Sequence, residues 1–181
     1  RLFGGFWQEL KKEQRKNIII DDEEPVSLDY SQMGPRILYG LCRMIPTSND
    51  CYRIPNYDRY RNGIKKVFNA MTFAEKPMTR YPKGVKQMFK EDIRFQEVSD
   101  AIQRYHSGIA HKFYVGIGHY LQYLESQILI KVLLELKDLG IHALPIHDAV
   151  VVGRAWVDMS RQLMEQVFLD MTNVESWVQV E

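Results

Sequence analysis

The chain lacks the parts of a covalent or membrane-bound framework. It has two cysteines in 181 residues, Cys42 and Cys51. They are too few for a disulfide scaffold and stand in no metal-ligand spacing, so a reducing compartment is the default. No apolar run approaches the ~18 residues of a membrane span, so no membrane partner is expected, nor is a secretory leader. Neither sign of charge dominates. The formal net charge is +1, so bulk charge names no partner and only local clusters can. Internal repeats and low-complexity tracts are absent. What is present is apolar: 45% of residues, enough for a core in one compact domain, or one with a small appendage. The opening Arg1-Leu2-Phe3-Gly4-Gly5-Phe6-Trp7 is abrupt and reads as strand over Arg1–Gln8. An excised domain, or a chain without its first part, is expected.

Further along, Lys11–Lys16 is a basic run of the kind found on solvated helix faces. Ile18–Ile20, the acids Asp21–Glu24 and Pro25–Leu28 read as strand, turn, strand, with Asp29 directly after. Pro35 suits the first position of a helix over Arg36–Met44. A polar loop, Pro46–Pro55, precedes helical spacing over Tyr57–Ala74, which Gly63 weakens by about 1 kcal/mol relative to alanine. Glu75–Lys90 reads as a basic loop or short helix, and Glu91–Tyr105 and Ile109–Tyr114 as helices. The strongest helix is Tyr120–Leu139, with Leu121, Leu124, Ile128, Leu129, Val132, Leu133 and Leu136 as a wide apolar stripe that ends at Gly140. Trp156–Met171 reads as a last amphipathic helix and Val174–Val180 as a short strand. Helices and antiparallel strands without a βαβ rhythm predict an α+β layered domain.

The stretch Ile141–Val152 sets one acid, Asp148, between apolar strand-like runs, Ala143–Ile146 and Ala149–Val152. Strand interiors deplete aspartate, so a carboxylate here costs stability unless a partner offsets it. Either a hairpin turns at His147-Asp148, or one strand runs through it. Pro145 cannot donate to a ladder and so belongs at an edge or a non-bonding position. Asp29 has a matching setting at the end of an apolar strand. If the two strands are neighbours, their carboxylates converge. Two like charges at that range call for a cation. Hard Mg²⁺ ions roughly 3.5–4 Å apart meet the need where phosphoryl oxygens supply the other ligands.

These stretches resemble known motifs. Asp29-Tyr30-Ser31-Gln32 is similar to motif A of the family A DNA polymerases. His147-Asp148 in apolar strand resembles motif C of that family and of the single-subunit phage-type RNA polymerases. Between them, Arg61-x3-Lys65-x7-Phe73 is similar to motif B. The order A, B, C is kept, over roughly residues 25–172. The resemblance implies a polymerase-palm-like antiparallel sheet packed by helices, with a palm-like core at 1–56 and 99–181 and a fingers-like basic insertion at 57–98. It implies template-directed nucleotidyl transfer, with Asp29 and Asp148 as catalytic residues that hold two Mg²⁺ (or Mn²⁺). Arg61 and Lys65 would meet the triphosphate, with Lys66 as the other reading of the working lysine, and Phe73 would stack near base or sugar. Positions 61, 65 and 69 share a helix face, and Phe73 continues near it.

Secondary assignments follow. Gln32 bonds sugar or template, or else caps the next helix. Arg36, opposed by the helix dipole, suggests a phosphate or carboxylate partner. His147 orients the hairpin or touches the primer strand. Glu125 orients the primer terminus or a metal-bound water, or is a solvated helix residue. His106, His111, His119 and His142 show no metal spacing and read as structural or surface residues. Implied partners are primer/template nucleic acid, nucleoside triphosphates, and further subunits or a missing N-terminal region. The implied setting is cytoplasmic, of a bacterial, phage or mobile-element kind.

The sequence also departs from the pattern. The DNA enzymes carry glutamate two residues after the Gln of motif A, where it walls off the ribose 2′ position; here that place is Gly34. Phe73 replaces a tyrosine, and Ala149 the glutamate of His-Asp-Glu. Gly34 and Ala149 follow the phage-type RNA polymerases, so weak or ribonucleotide-tolerant sugar selection is expected. The alternative is a catalytically inactive palm-like module that binds nucleic acid in replication.

Overall fold

The computed structural model describes residues 4–90 and 92–181. The chain divides into two compact units, Arg1–Ile37 with Gln122–Glu181, and Leu38–Leu121. The second unit covers more chain than the 57–98 insertion read from the sequence.

The first unit carries a four-stranded antiparallel sheet in the order β2-β3-β1-β4. Its strands are β1 (Pro25–Tyr30), β2 (Ala143–Ile146), β3 (Ala149–Gly153) and β4 (Val178–Val180). Strand β1 alternates: Val26, Leu28 and Tyr30 are buried, while Pro25, Ser27 and Asp29 on the other face are half-buried. That two-residue period is what a sheet with one fully packed face requires. The packed face meets helix α7 (Val157–Thr172), where the Tyr30 hydroxyl donates to the Met164 carbonyl at 2.6 Å and its ring lies 5.4 Å from that of Phe168. Central β3 is buried along its whole length. Val150 and Val152 are fully enclosed, each worth roughly 1.5–3 kcal/mol.

Pro145 sits in edge strand β2. The Trp7 indole and the Gln8 amide both donate to its carbonyl, at 2.9 and 3.0 Å. A residue's N–H and C=O leave an antiparallel strand on the same side. The missing N–H therefore also faces outward, and the proline costs no ladder bond. The donors belong to a short helix, α1 (Phe6–Glu9), where the sequence reading placed a strand over Arg1–Gln8. Arg1–Phe3 lie outside the described residues. The basic run is a second short helix, α2 (Lys12–Arg15). The arm expected at Ile18–Ile20 reduces to one bridge, Ile20 to Glu23, because Asp21 and Asp22 both take positive φ (54° and 63°).

Helix α3 (Met33–Leu41) begins three residues earlier than expected, so Pro35 lies within its first turn. The long helix α6 (Gly118–Asp138) and α7 match the sequence reading to within two residues. The closing strand is only β4, since Val174–Trp177 stay irregular.

In the second unit, α4 (Arg61–Phe73) follows a short 3₁₀ turn at Asp58–Tyr60. It buries Gly63, Ile64, Val67, Phe68, Met71 and Thr72. Helix α5 spans Phe95–Tyr105, and Glu91, the expected start of that helix, is outside the described residues. The helix expected at Ile109–Tyr114 is only a 3₁₀ turn at Ala110–Lys112, and the basic stretch before α5 holds another at Lys86–Met88. The Phe68 ring packs edge-on against Phe113, Tyr52 and His106.

His106 is fully buried. Its Nδ1 accepts from the Tyr39 hydroxyl at 2.7 Å, and its Nε2–H donates to the Cys51 carbonyl at 2.9 Å, a pairing that fits the neutral ring. Burial pushes its pKa down to about 4, although the Cys51 carbonyl pulls the other way. Burial likewise pushes the Tyr39 phenol up to about 12. The unfolded imidazole titrates near ~6.5. The stabilisation from this pair is therefore complete above that pH and is lost as pH falls through 4, by up to about 3 kcal/mol. Urea unfolding at pH 7.5 and 4.5 should show that loss, and His106→Gln should flatten the difference. Equal slopes for both proteins would refute the assignment.

Gly63 has a packing reason. A Cβ there would stand 2.6 Å from Cζ of Phe89, whose ring is held against Tyr60 and Tyr81 at centroid distances of 5.3 and 5.0 Å. Alanine gains about 1 kcal/mol of helix propensity. Overpacking costs roughly 1–3 kcal/mol. Gly63→Ala should thus lower the melting temperature, and adding Phe89→Leu should recover part of it. A rise in melting temperature for the single variant would disprove the clash.

Candidate catalytic site

Register brings the two aspartates together. Asp29 pairs with Ala149 across β1 and β3. On its other side β1 bonds to the β4 side, with Ser27 N–H to Glu181 O and Glu181 N–H to Ser27 O at 3.4 and 2.9 Å. Alternation makes Asp29–Gln179 a bonded pair and Asp29–Ala149 the close, non-bonded kind, with Cα atoms about 4.5 Å apart. Asp148 is the next residue along, so its Cα lies within about 8 Å of that of Asp29.

Asp148 occupies the two-residue turn that joins β2 to β3, opposite the closing pair Ile146–Ala149. The hairpin alternative is the one realised. His147 takes the left-handed conformation, with φ 58°. This tight turn lifts the Asp148 carboxylate to the exposed tip, whereas Asp29 is half-buried with its Oδ1 withdrawn from solvent. One acid is held by strands on both sides, and the other is presented at a rigid corner.

After Asp29 the chain turns into α3 through Gln32, also left-handed at φ 59°. Gly34 follows in the first turn. A Cβ added there would meet Glu125 Oε1 of α6 at 3.4 Å. Glu125 is half-buried. Arg36 is buried: its Nη1 donates to the Glu175 carbonyl at 2.8 Å and its guanidinium lies 4.0 Å from the Trp177 ring centre. The first-turn cation thus has partners within the fold, a carbonyl and an indole ring, where the sequence reading looked to a phosphate or carboxylate. Trp177 and Glu175 were not legible as its partners, because they follow α7 in irregular chain.

In the helical unit, Lys65, Asn69 and Phe73 are exposed on one face of α4, with Arg61 half-exposed at its start and Lys66 exposed beside them. Arg61 Nε bonds Asp50 Oδ2 at 2.6 Å. The guanidinium carbon lies 5.6 Å from the Tyr52 ring centre, and the Lys65 ammonium 5.9 Å from it. Burial pushes the Asp50 carboxyl up, but the Arg61 bond, the Tyr52 N–H and the Arg61 and Arg53 charges outweigh it, and the net shift is downward. Asp50 was missed in the sequence. Its signal was Ser48-Asn49-Asp50, a turn-forming run in which Asp50 Oδ1 accepts from Tyr52 N–H at 3.0 Å. The Phe73 ring stands edge-on to His119 at 5.3 Å, and a Cβ on Gly118 would come within 2.6 Å of it.

Among the described residues, no group of three or more His, Cys, Asp or Glu side chains is placed to hold a metal ion. A carboxylate pair still fits magnesium. That ion keeps several waters and is commonly bound by one or two carboxylates plus substrate phosphates.

No family model and no curated protein matches the sequence. Among solved structures, the chain is similar to the POL domain of Pol1 from M. smegmatis in complex with DNA primer-template and dNTP, with a TM-score of 0.53 and 14% identity over 92% of this chain. The chain spans 41% of the length of that structure. At that identity the likeness is one of fold: a mixed helical and antiparallel-sheet architecture of the polymerase-domain kind.

Proposed function

We propose that the chain carries template-directed nucleotidyl transfer of the family A type, with nucleoside triphosphates and primer/template nucleic acid as partners. The observation that carries this reading is the register of Asp29 against Ala149, which sets Asp148 beside Asp29 at one end of the sheet. In this reading Asp29 and Asp148 hold two Mg²⁺ ions, or Mn²⁺. When bound, the ions polarise the primer 3′-hydroxyl and offset the charge that grows on the transferred phosphate. The protein's own share is positioning. Strands fix Asp29 from both sides, and the turn fixes Asp148. A site held this rigidly needs little reorganisation as charge develops.

The exposed cations of α4, Lys65 and Lys66, with Arg61 oriented by Asp50, meet the triphosphate. Such contacts neutralise the leaving group and carry no sequence information. Phe73 offers an exposed ring to base or sugar, and Gln32 and His147 flank the two acids. Grip on the duplex comes from further subunits or further chain, in keeping with the 41% share of the similar structure.

Primer extension with Mg²⁺ tests this. Asp29→Asn and Asp148→Asn each keep size and remove charge. Both should lose incorporation at least about a hundredfold, with melting curves near those of the unsubstituted protein. Equal incorporation by all three would eliminate the metal role. Nucleic-acid binding without incorporation or Mg²⁺ stabilisation would point to the inactive module instead.

A further inference from the structure

Arg15 and Lys16 close the basic run at the end of α2. They line a cavity of about 330 Å³ on the sheet of the same unit. Its floor is Pro25 and Ser27 of β1, Val151 of β3 and Ile146 of β2. Glu181 borders it as well, its backbone paired with that of Ser27.

Register identifies the face. Ile146 pairs with Ala149 and Ala149 with Asp29, so these three side chains lie on one side of the sheet. Ser27 and Val151 pair one row further along that side, and Pro25 lies a row beyond. It is the side turned away from α7. The floor therefore starts in the row of Asp29 and reaches two rows down β1, about 13 Å in strand rise. Two acids stand at one end of this face, and two cations border the floor that leads from them. Among the described residues neither cation is in an ion pair. Arg15 Nη1 donates to the Leu10 carbonyl at 2.8 Å, which uses one of its five donors. A helix of one turn has little dipole for two cations to answer.

We propose that Arg15 and Lys16 hold the sugar-phosphate backbone of the strand being extended, close to its 3′ end. This rests on the nucleotidyl-transfer reading, which puts that 3′-hydroxyl at Asp29 and Asp148. A strand that ends there and follows the floor carries one phosphate per ~3.4 Å of duplex axis, so its last four linkages fall within the length of the cavity. Charge sorts along the face. The acids repel phosphate except through metal ions, whereas two cations against the one carboxylate of Glu181 attract it. The apolar floor of Pro25, Ile146 and Val151 suits sugar carbons. Contacts of this kind fix the position of a strand and do not read its sequence.

The first test is binding of a labelled primer/template between about 50 and 200 mM salt. The double variant Arg15→Gln/Lys16→Gln should weaken binding about tenfold or more and reduce the slope of log K against log salt by about 2. Arg15→Lys/Lys16→Arg keeps both charges and should stay within about threefold of the unsubstituted protein. The second test needs no variant that might misfold: primers with one neutral methylphosphonate linkage are extended by the unsubstituted protein. A neutral linkage among the last four should raise the KM for primer about fivefold with kcat little changed, and one at the same depth in the template should not. In the Gln double variant the neutral primer linkage should add no further loss. An unchanged salt slope, or an effect of template linkages alone, overturns this proposal and leaves the nucleotidyl-transfer reading standing. Failure of the unsubstituted protein to extend any primer overturns that reading and this one with it.

Discussion

The pairing of β1 with β3 is the constraint on which the rest depends. Side chains alternate along a strand, so a slip of one residue would turn Val26, Leu28 and Tyr30 away from α7 and bring Ser27 and Asp29 against it. The apolar face therefore fixes the register, and the register fixes Asp29 opposite Ala149. Asp148 then follows from a turn only two residues long. The geometry of two acids is determined by residues that carry no charge. Core packing and candidate chemistry are, in this unit, one problem with one solution.

Much of this was legible in the chain. Alternation in β1, the apolar runs on either side of Asp148, and the long stripe of α6 are signals of period 2 and period 3.6. Such signals survive without knowledge of neighbours. The shared face of Arg61, Lys65, Asn69 and Phe73 was legible for the same reason. The choice between a hairpin and a through-strand at His147-Asp148 was not, because it turns on one left-handed residue. The N-terminal stretch misled: Phe6 and Trp7 favour strands in general, yet here Trp7 is fixed by a bond to the edge of β2. Ile109–Tyr114 had helical spacing but too few residues to continue past one tight turn.

Residues with tertiary partners were the hardest to place. Gly63 looked like a weakness in α4 until Phe89 was seen to lie against it. Arg36 looked like a cation in need of an anion; a carbonyl and an indole face serve it instead. Arg61 shows the converse. Its bond to Asp50 and the Tyr52 ring beside it hold the guanidinium at the start of α4. In each case the decisive group is remote in sequence or sits in irregular chain, where periodicity is silent.

The outer margin of β2 has one more consequence. A bare strand border offers a row of donors and acceptors to any passing chain, the usual route to fibrous self-association. Here the row is interrupted at Pro145, which has nothing to donate, and its one outward acceptor is already taken by Trp7 and Gln8. The sheet that carries the two acids is thereby closed to growth on that flank, and cleavage of the first helix from the protein would reopen it.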